Sequence, residues 1–104
     1  ENFVINEICK TYFNRGDRPP VYHWRDSNQR EIDLLLDLGV AIRPIEIKAG
    51  TTFNRSYFKH LDWFLNVSEL PLESPTVIYG ADTDWKAENG LLLSWRNISA
   101  EFSD

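Results

Sequence analysis

The chain has 104 residues, 42% hydrophobic and 13% aromatic, which makes it one small domain and excludes a disordered chain. No apolar run approaches the roughly 18 residues of a membrane helix and no signal-peptide pattern opens the sequence. The single cysteine, Cys9, excludes an internal disulfide and any multi-cysteine zinc site, and a reducing cytoplasm is the expected context.

The formal net charge of −5 speaks against nucleic acid as a partner, but the charge is uneven. Residues 1–66 balance nine acids with nine bases, whereas residues 67–104 carry seven acids and two bases. A cation held by carboxylates of the first segment would make its field positive; an ordinary mixed surface is the other reading. The chain contains no methionine and opens on residues already in helical period. Both features lead us to expect a single domain, residues 1–104, cut from a longer protein.

Residues 1–15 predict a helix, with Val4, Ile5, Ile8, Cys9, Tyr12 and Phe13 on one face, ended by Gly16 and Pro19-Pro20. Residues 21–25 predict a strand, and Asp26-Ser27-Asn28-Gln29 a turn. Residues 30–36 alternate, with Ile32, Leu34 and Leu36 on one face and Glu31, Asp33 and Leu35 on the other. After the turn Asp37-Leu38-Gly39, residues 40–48 predict a third strand, completing an antiparallel meander. Residues 55–66 return to helical period, with Tyr57, Phe58, Leu61, Phe64 and Leu65 as the apolar stripe and Asn54 as N-cap. Thr76–Tyr79 and Leu91–Trp95 predict two more strands joined by a loop, and a short helix follows Asn97. The order α-β-β-β-α-β-β predicts an α/β sandwich around a mixed sheet.

Three acids and a lysine carry the chemistry. In Ile45-Glu46-Ile47-Lys48, period-2 alternation puts Glu46 and Lys48 side by side on one strand face. A carboxylate beside an ammonium suits metal-assisted hydrolysis: the carboxylate binds a hard cation, and the lysine holds the attacking water or offsets charge growing on a phosphate. Asp33 lies inside an apolar run, where a charge needs a partner or a metal. Glu7 stands at the edge of the first helix's apolar stripe and is placed to complete the cluster from above the sheet. The plainer reading is an ion pair between Glu46 and Lys48 on a solvated face, with Asp33 paired to Arg25 or Arg30. His23 and His60 lack metal-ligand spacing and read as surface or partly buried histidines; Cys9 reads as a core residue, and Trp85 and Trp95 read as core or edge packing, with stacking on bases or a partner as the other reading.

The blocks Tyr22-His23-Trp24-Arg25, Glu31-Ile32-Asp33-Leu34-Leu35-Leu36 and Pro44-Ile45-Glu46-Ile47-Lys48, after Glu7 in an opening helix, resemble a domain of unknown function. That domain lies at the C-terminus of a family of prokaryotic AAA+ type ATPases and is grouped with the PD-(D/E)XK nuclease superfamily. The resemblance runs from about Glu1 to Trp95. It implies a restriction-endonuclease-like fold, an ATPase domain in the same full-length chain, and a Mg²⁺- or Mn²⁺-dependent nuclease acting on DNA. In it Asp33, Glu46 and the Ile47 carbonyl take the metal-ligand places, Lys48 that of the catalytic lysine and Glu7 that of the helix acid. Arg25, Arg30, Arg55 and Lys59 are the candidate nucleic-acid contacts. The alternative is a nuclease-fold module that docks nucleic acid or protein without cutting.

Overall fold

Short connections make the first three strands neighbours, and everything after them has to cover the two faces of the sheet they begin. The computed structural model of the chain describes residues 2–25, 31–88 and 90–103, without the Arg55 side chain. Helix α1 (Asn2–Asn14) precedes strands β1 (Val21–Arg25), β2 (Glu31–Asp37) and β3 (Ile42–Ile47). A 3₁₀ turn (Arg55–Phe58) then leads into α2 (Lys59–Val67), followed by β4 (Thr76–Tyr79), β5 (Trp85–Ala87) and β6 (Gly90–Ser94). A second 3₁₀ turn (Trp95–Asn97) enters α3 (Ile98–Phe102). The expected α/β sandwich around a mixed sheet is present. The six strands lie in the order β1-β2-β3-β4-β6-β5. β1–β2, β2–β3 and β5–β6 are antiparallel, while β3–β4 and β4–β6 are parallel. The turn expected at Asp26–Gln29 lies outside the described residues.

Each sheet face has its own core. Val4 and Ile8 of α1 and Ile98 and Phe102 of α3 pack on Leu34, Leu36, Ile45, Ile78 and Leu93. Phe58, Leu61 and Phe64 pack on the opposite face against Ile32, Leu35, Val77, Tyr79 and Leu92. Trp24 of β1 closes that second core, with its ring 5.3 Å from Trp63 and 5.2 Å from Phe64. At the end of α1, Gly16 takes a positive φ of 84°, and the Asp17 N–H bonds back to the Tyr12 carbonyl at 3.0 Å. This is the left-handed exit that favours glycine. Arg43 ties α3 to the sheet, donating to the Ser74 carbonyl at 3.0 Å and to Glu101 at 2.8 Å. Among the described residues no helix is long and apolar enough to cross a membrane.

Four expectations need correction. First, β2 does not alternate strictly. Tyr22 pairs with Leu35 but Trp24 pairs with Ile32, so β2 spends one more residue than β1 over this stretch, a β-bulge at Asp33-Leu34. The bulge moves Ile32 into the α2-side core with Leu35, while Leu34 and Leu36 face α1 and α3. Second, the connection between β4 and β6 contains a strand, β5, which covers the outer edge of β6. Third, Phe13 and Leu65 are exposed although they fall within the expected apolar stripes. Each helix meets the sheet along one side only, and these residues lie past the line of contact. Fourth, Asn54 caps the 3₁₀ turn rather than α2 itself, accepting from the Ser56 N–H at 2.9 Å.

Leu61 is 2% exposed and Leu65 61% exposed, so the two leucines of α2 should differ sharply. Leu61→Ala should cost about 2–5 kcal/mol in denaturant unfolding. Leu65→Ala should stay within about 0.5 kcal/mol of the parent.

Candidate active site at the end of the central strands

β2 and β3 pair through Leu34 and Ile45. Beyond that pair, side chains continue the ladder in place of backbone carbonyls. The Asp33 N–H donates to Glu46 Oε1 at 3.0 Å. The Ile47 N–H donates to Asp33 Oδ2 at 2.8 Å. Each carboxylate therefore satisfies a backbone donor on or beside the other's strand, and the two acids are held together where the strands part. The bulge makes this geometry, because it frees Asp33 from the regular pleat.

Glu46 is the buried member, 2% exposed. It shares the α2-facing side of β3 with Val77, its register partner on β4. Its second oxygen, Oε2, lies 3.8 Å from Lys48 Nζ and 3.2 Å from His60 Nδ1. Lys48 follows β3 directly, and its own N–H donates to the Ile78 carbonyl at 2.8 Å. That bond extends the parallel β3–β4 pairing past the last strand residue and fixes the base of the lysine side chain. His60 enters from the first turn of α2, one residue before the buried Leu61. Of the residues expected at a site, the structure brings Asp33 to Glu46 through these hydrogen bonds and Lys48 to Glu46. His60 joins them although its sequence spacing marks it as an ordinary partly buried histidine.

Burial raises the Glu46 pKa above its ordinary value, and the nearby Asp33 charge pushes the same way. The hydrogen bond from the Asp33 N–H, and the charges of Lys48 and His60, pull it back down. Burial is the largest of these effects, so without a further positive charge the ionised Glu46 is held at a cost.

The other candidates stand apart. Glu7 is half-buried on α1, and its Oε2 lies 3.7 Å from Lys10 Nζ. Among the described residues it makes no hydrogen bond or ion pair with Asp33, Glu46 or Lys48. Arg25 pairs with Glu31 across β1 and β2 at 2.9 Å. Lys59 is exposed at the start of α2. Arg30 and the Arg55 side chain lie outside the described residues. No group of three or more His, Cys, Asp or Glu side chains among the described residues is arranged to hold a metal ion.

The family model described as a domain of unknown function (DUF4143) matches residues 1–98, and the chain belongs to that family. Neither a curated protein nor a solved structure matches it.

The raised Glu46 pKa sets a sign for the pH dependence. A carboxyl whose folded pKa exceeds its unfolded one contributes stability that is complete below the unfolded pKa and is lost as pH rises through the folded value. Glu46→Gln keeps an acceptor for the Asp33 N–H but carries no charge. In the absence of divalent cations its melting temperature should exceed the parent's at pH 8, and the difference should vanish as the pH falls to 4. A parent more stable than the variant at both pH values would contradict the assignment.

Proposed function

We propose that this member of the DUF4143 family is a metal-dependent nuclease domain that hydrolyses DNA phosphodiester bonds. The observation that carries the reading is the buried Glu46, joined to Asp33 through exchanged backbone hydrogen bonds and facing Lys48. Such a site has two hard oxygen donors and one cation at the edge of solvent. Each carboxylate uses one oxygen on a backbone N–H, and a carboxylate offers about four acceptor positions, so both keep capacity for a cation.

The donor set fits Mg²⁺, or Mn²⁺ in its place. Mg²⁺ typically keeps several waters and is bound by only one or two carboxylates plus substrate phosphate. A dedicated cluster of three acids is therefore not required. Asp33, Glu46 and the Ile47 carbonyl are the residues that would hold it. When bound there, the ion would neutralise a phosphoryl oxygen and lower the pKa of a water. Lys48 would donate to the attacking water and to the oxygen on which charge develops. The attacking water would give up a proton to solvent and its oxygen would bond to phosphorus as the bond to the leaving oxygen breaks, and the leaving oxygen would take up a proton from solvent. His60, hydrogen-bonded to Glu46 Oε2, would keep that carboxylate turned toward Lys48.

The same reading assigns the domain to the PD-(D/E)XK superfamily and to the C-terminal part of a cytoplasmic AAA+ type ATPase chain. Its support is the combined Trp24-Arg25, Glu31–Leu36 and Pro44–Lys48 blocks. A rival reading, a docking module that does not cut, draws on the exposed Tyr22, Val67 and Leu70 around β1, the outermost strand of the sheet.

The test is cleavage of single-stranded and duplex DNA in millimolar Mg²⁺ or Mn²⁺. The parent should cut in a manner abolished by chelation, and Lys48→Ala should lower the rate about 10²–10³-fold with little change in melting temperature. No cleavage with either ion, or equal rates in Lys48→Ala, would leave the docking reading standing.

A further inference from the structure

A cavity of about 370 Å³ opens at the end of the sheet, lined by Phe3, Ile47, Lys48, Gly80 and Trp95 among others. We propose that it is a stacking site for one unpaired nucleobase, which makes single-stranded nucleic acid the substrate class. The proposal rests on the nuclease reading for the identity of the strand beside it.

The position is the first argument. The cavity lies past the C-terminal ends of the parallel strands β3, β4 and β6, the edge at which open α/β sheets bind ligands. Its size falls in the roughly 300–1,000 Å³ range of small-ligand sites. Gly80 gives it a tight wall. The Gly80 N–H donates to the Gly50 carbonyl at 2.8 Å, and a Cβ at Gly80 would sit 3.0 Å from the Ala49 carbonyl oxygen.

The aromatic lining is the second argument. Phe3 opens α1 and Trp95 follows β6, so two distant segments bring their rings together, 5.8 Å apart and edge to face. Phe3 remains 54% exposed. A single exposed ring would mean little. Here the ring borders a concavity beside a second aromatic, and the Arg96 guanidinium lies 4.8 Å from the centre of the Trp95 ring. Aromatic faces with cations alongside are the sequence-tolerant platform on which unpaired bases stack.

Lys48 is the third argument, because it belongs to both places. It lines the cavity, and its ammonium lies 3.8 Å from Glu46 Oε2. On this proposal the phosphate sits at Lys48 and its nucleoside in the cavity, against Phe3 and Trp95. In a duplex that base is paired and stacked, and extracting it costs a few kcal/mol. A single strand has no such cost, so the geometry selects it.

The test uses tryptophan fluorescence of the intact chain in millimolar Mg²⁺. One ligand is phosphorothioate-linked octathymidylate, which resists hydrolysis; the other is a blunt hairpin duplex of equal phosphate count and linkage. The strand should bind about tenfold more tightly than the hairpin. Phe3→Ala, at a half-exposed position, and Trp95→Leu should each weaken strand binding about tenfold and erase the preference. Equal affinity for strand and hairpin, or strand binding unchanged in Phe3→Ala, would overturn the proposal. Cleavage of ordinary DNA that depends on Lys48 but not on Phe3 would overturn the cavity's role and leave the nuclease reading intact. Strand-selective binding that depends on Phe3, without cleavage in Mg²⁺ or Mn²⁺, would do the reverse.

Discussion

Two carboxylates that stand in for ladder carbonyls are the constraint on which the rest of the site depends. Where β2 and β3 separate, Asp33 and Glu46 each accept a backbone N–H at 2.8–3.0 Å. A buried backbone donor without a partner costs about as much as a lost hydrogen bond, so the strand ends need acceptors there. Filling that need with acids rather than amides places a second carboxylate beside the buried Glu46. Lys48 and His60 supply only part of the compensation, because burial still dominates the Glu46 carboxyl. That cost, where a neutral acceptor would serve the fold, is the feature on which the proposed nuclease reading draws.

The surrounding structure supports that pair from three directions. The bulge in β2 turns Asp33 out of the pleat and toward β3. The parallel β3–β4 ladder, extended by the Lys48 N–H, fixes the backbone under Lys48. Leu61 and Phe64 anchor α2 over the sheet and so carry His60 to Glu46. Among the described residues, Asp82 and Asp84 of the acidic segment 67–104 bind Arg96, Asn97 and the Ser94 N–H rather than the pair.

Much of this was legible in the sequence, for physical reasons that can be named. β3 lies between two partners in regular register, so Ile45 and Ile47 alternate with Glu46 as a flat reading of the strand expects. β2 does not, because its bulge arises from the register against β1, a property of two strands together. No pattern within residues 30–36 announces it. β5 escaped because three residues ending at Ala87 are too few for a period, and the strand exists by pairing with β6. His60 lies on a separate helix from the strand that carries Glu46, and only the crossing of α2 over the sheet brings them together. The signal that could have found it is the buried residue beside it: Leu61 faces the sheet, so its neighbour at the sheet's end comes close to β3. Glu7 shows the opposite limit. Its helix packs as expected, yet its side chain is paired with Lys10.

The central claim is that Asp33 and Glu46 share one cation. Electron paramagnetic resonance of Mn²⁺ titrated into the protein tests it without reference to any substrate. One ion bound per chain, with binding lost in both Asp33→Asn and Glu46→Gln, is the predicted result. Failure to bind Mn²⁺, or binding that survives in both variants, would contradict it.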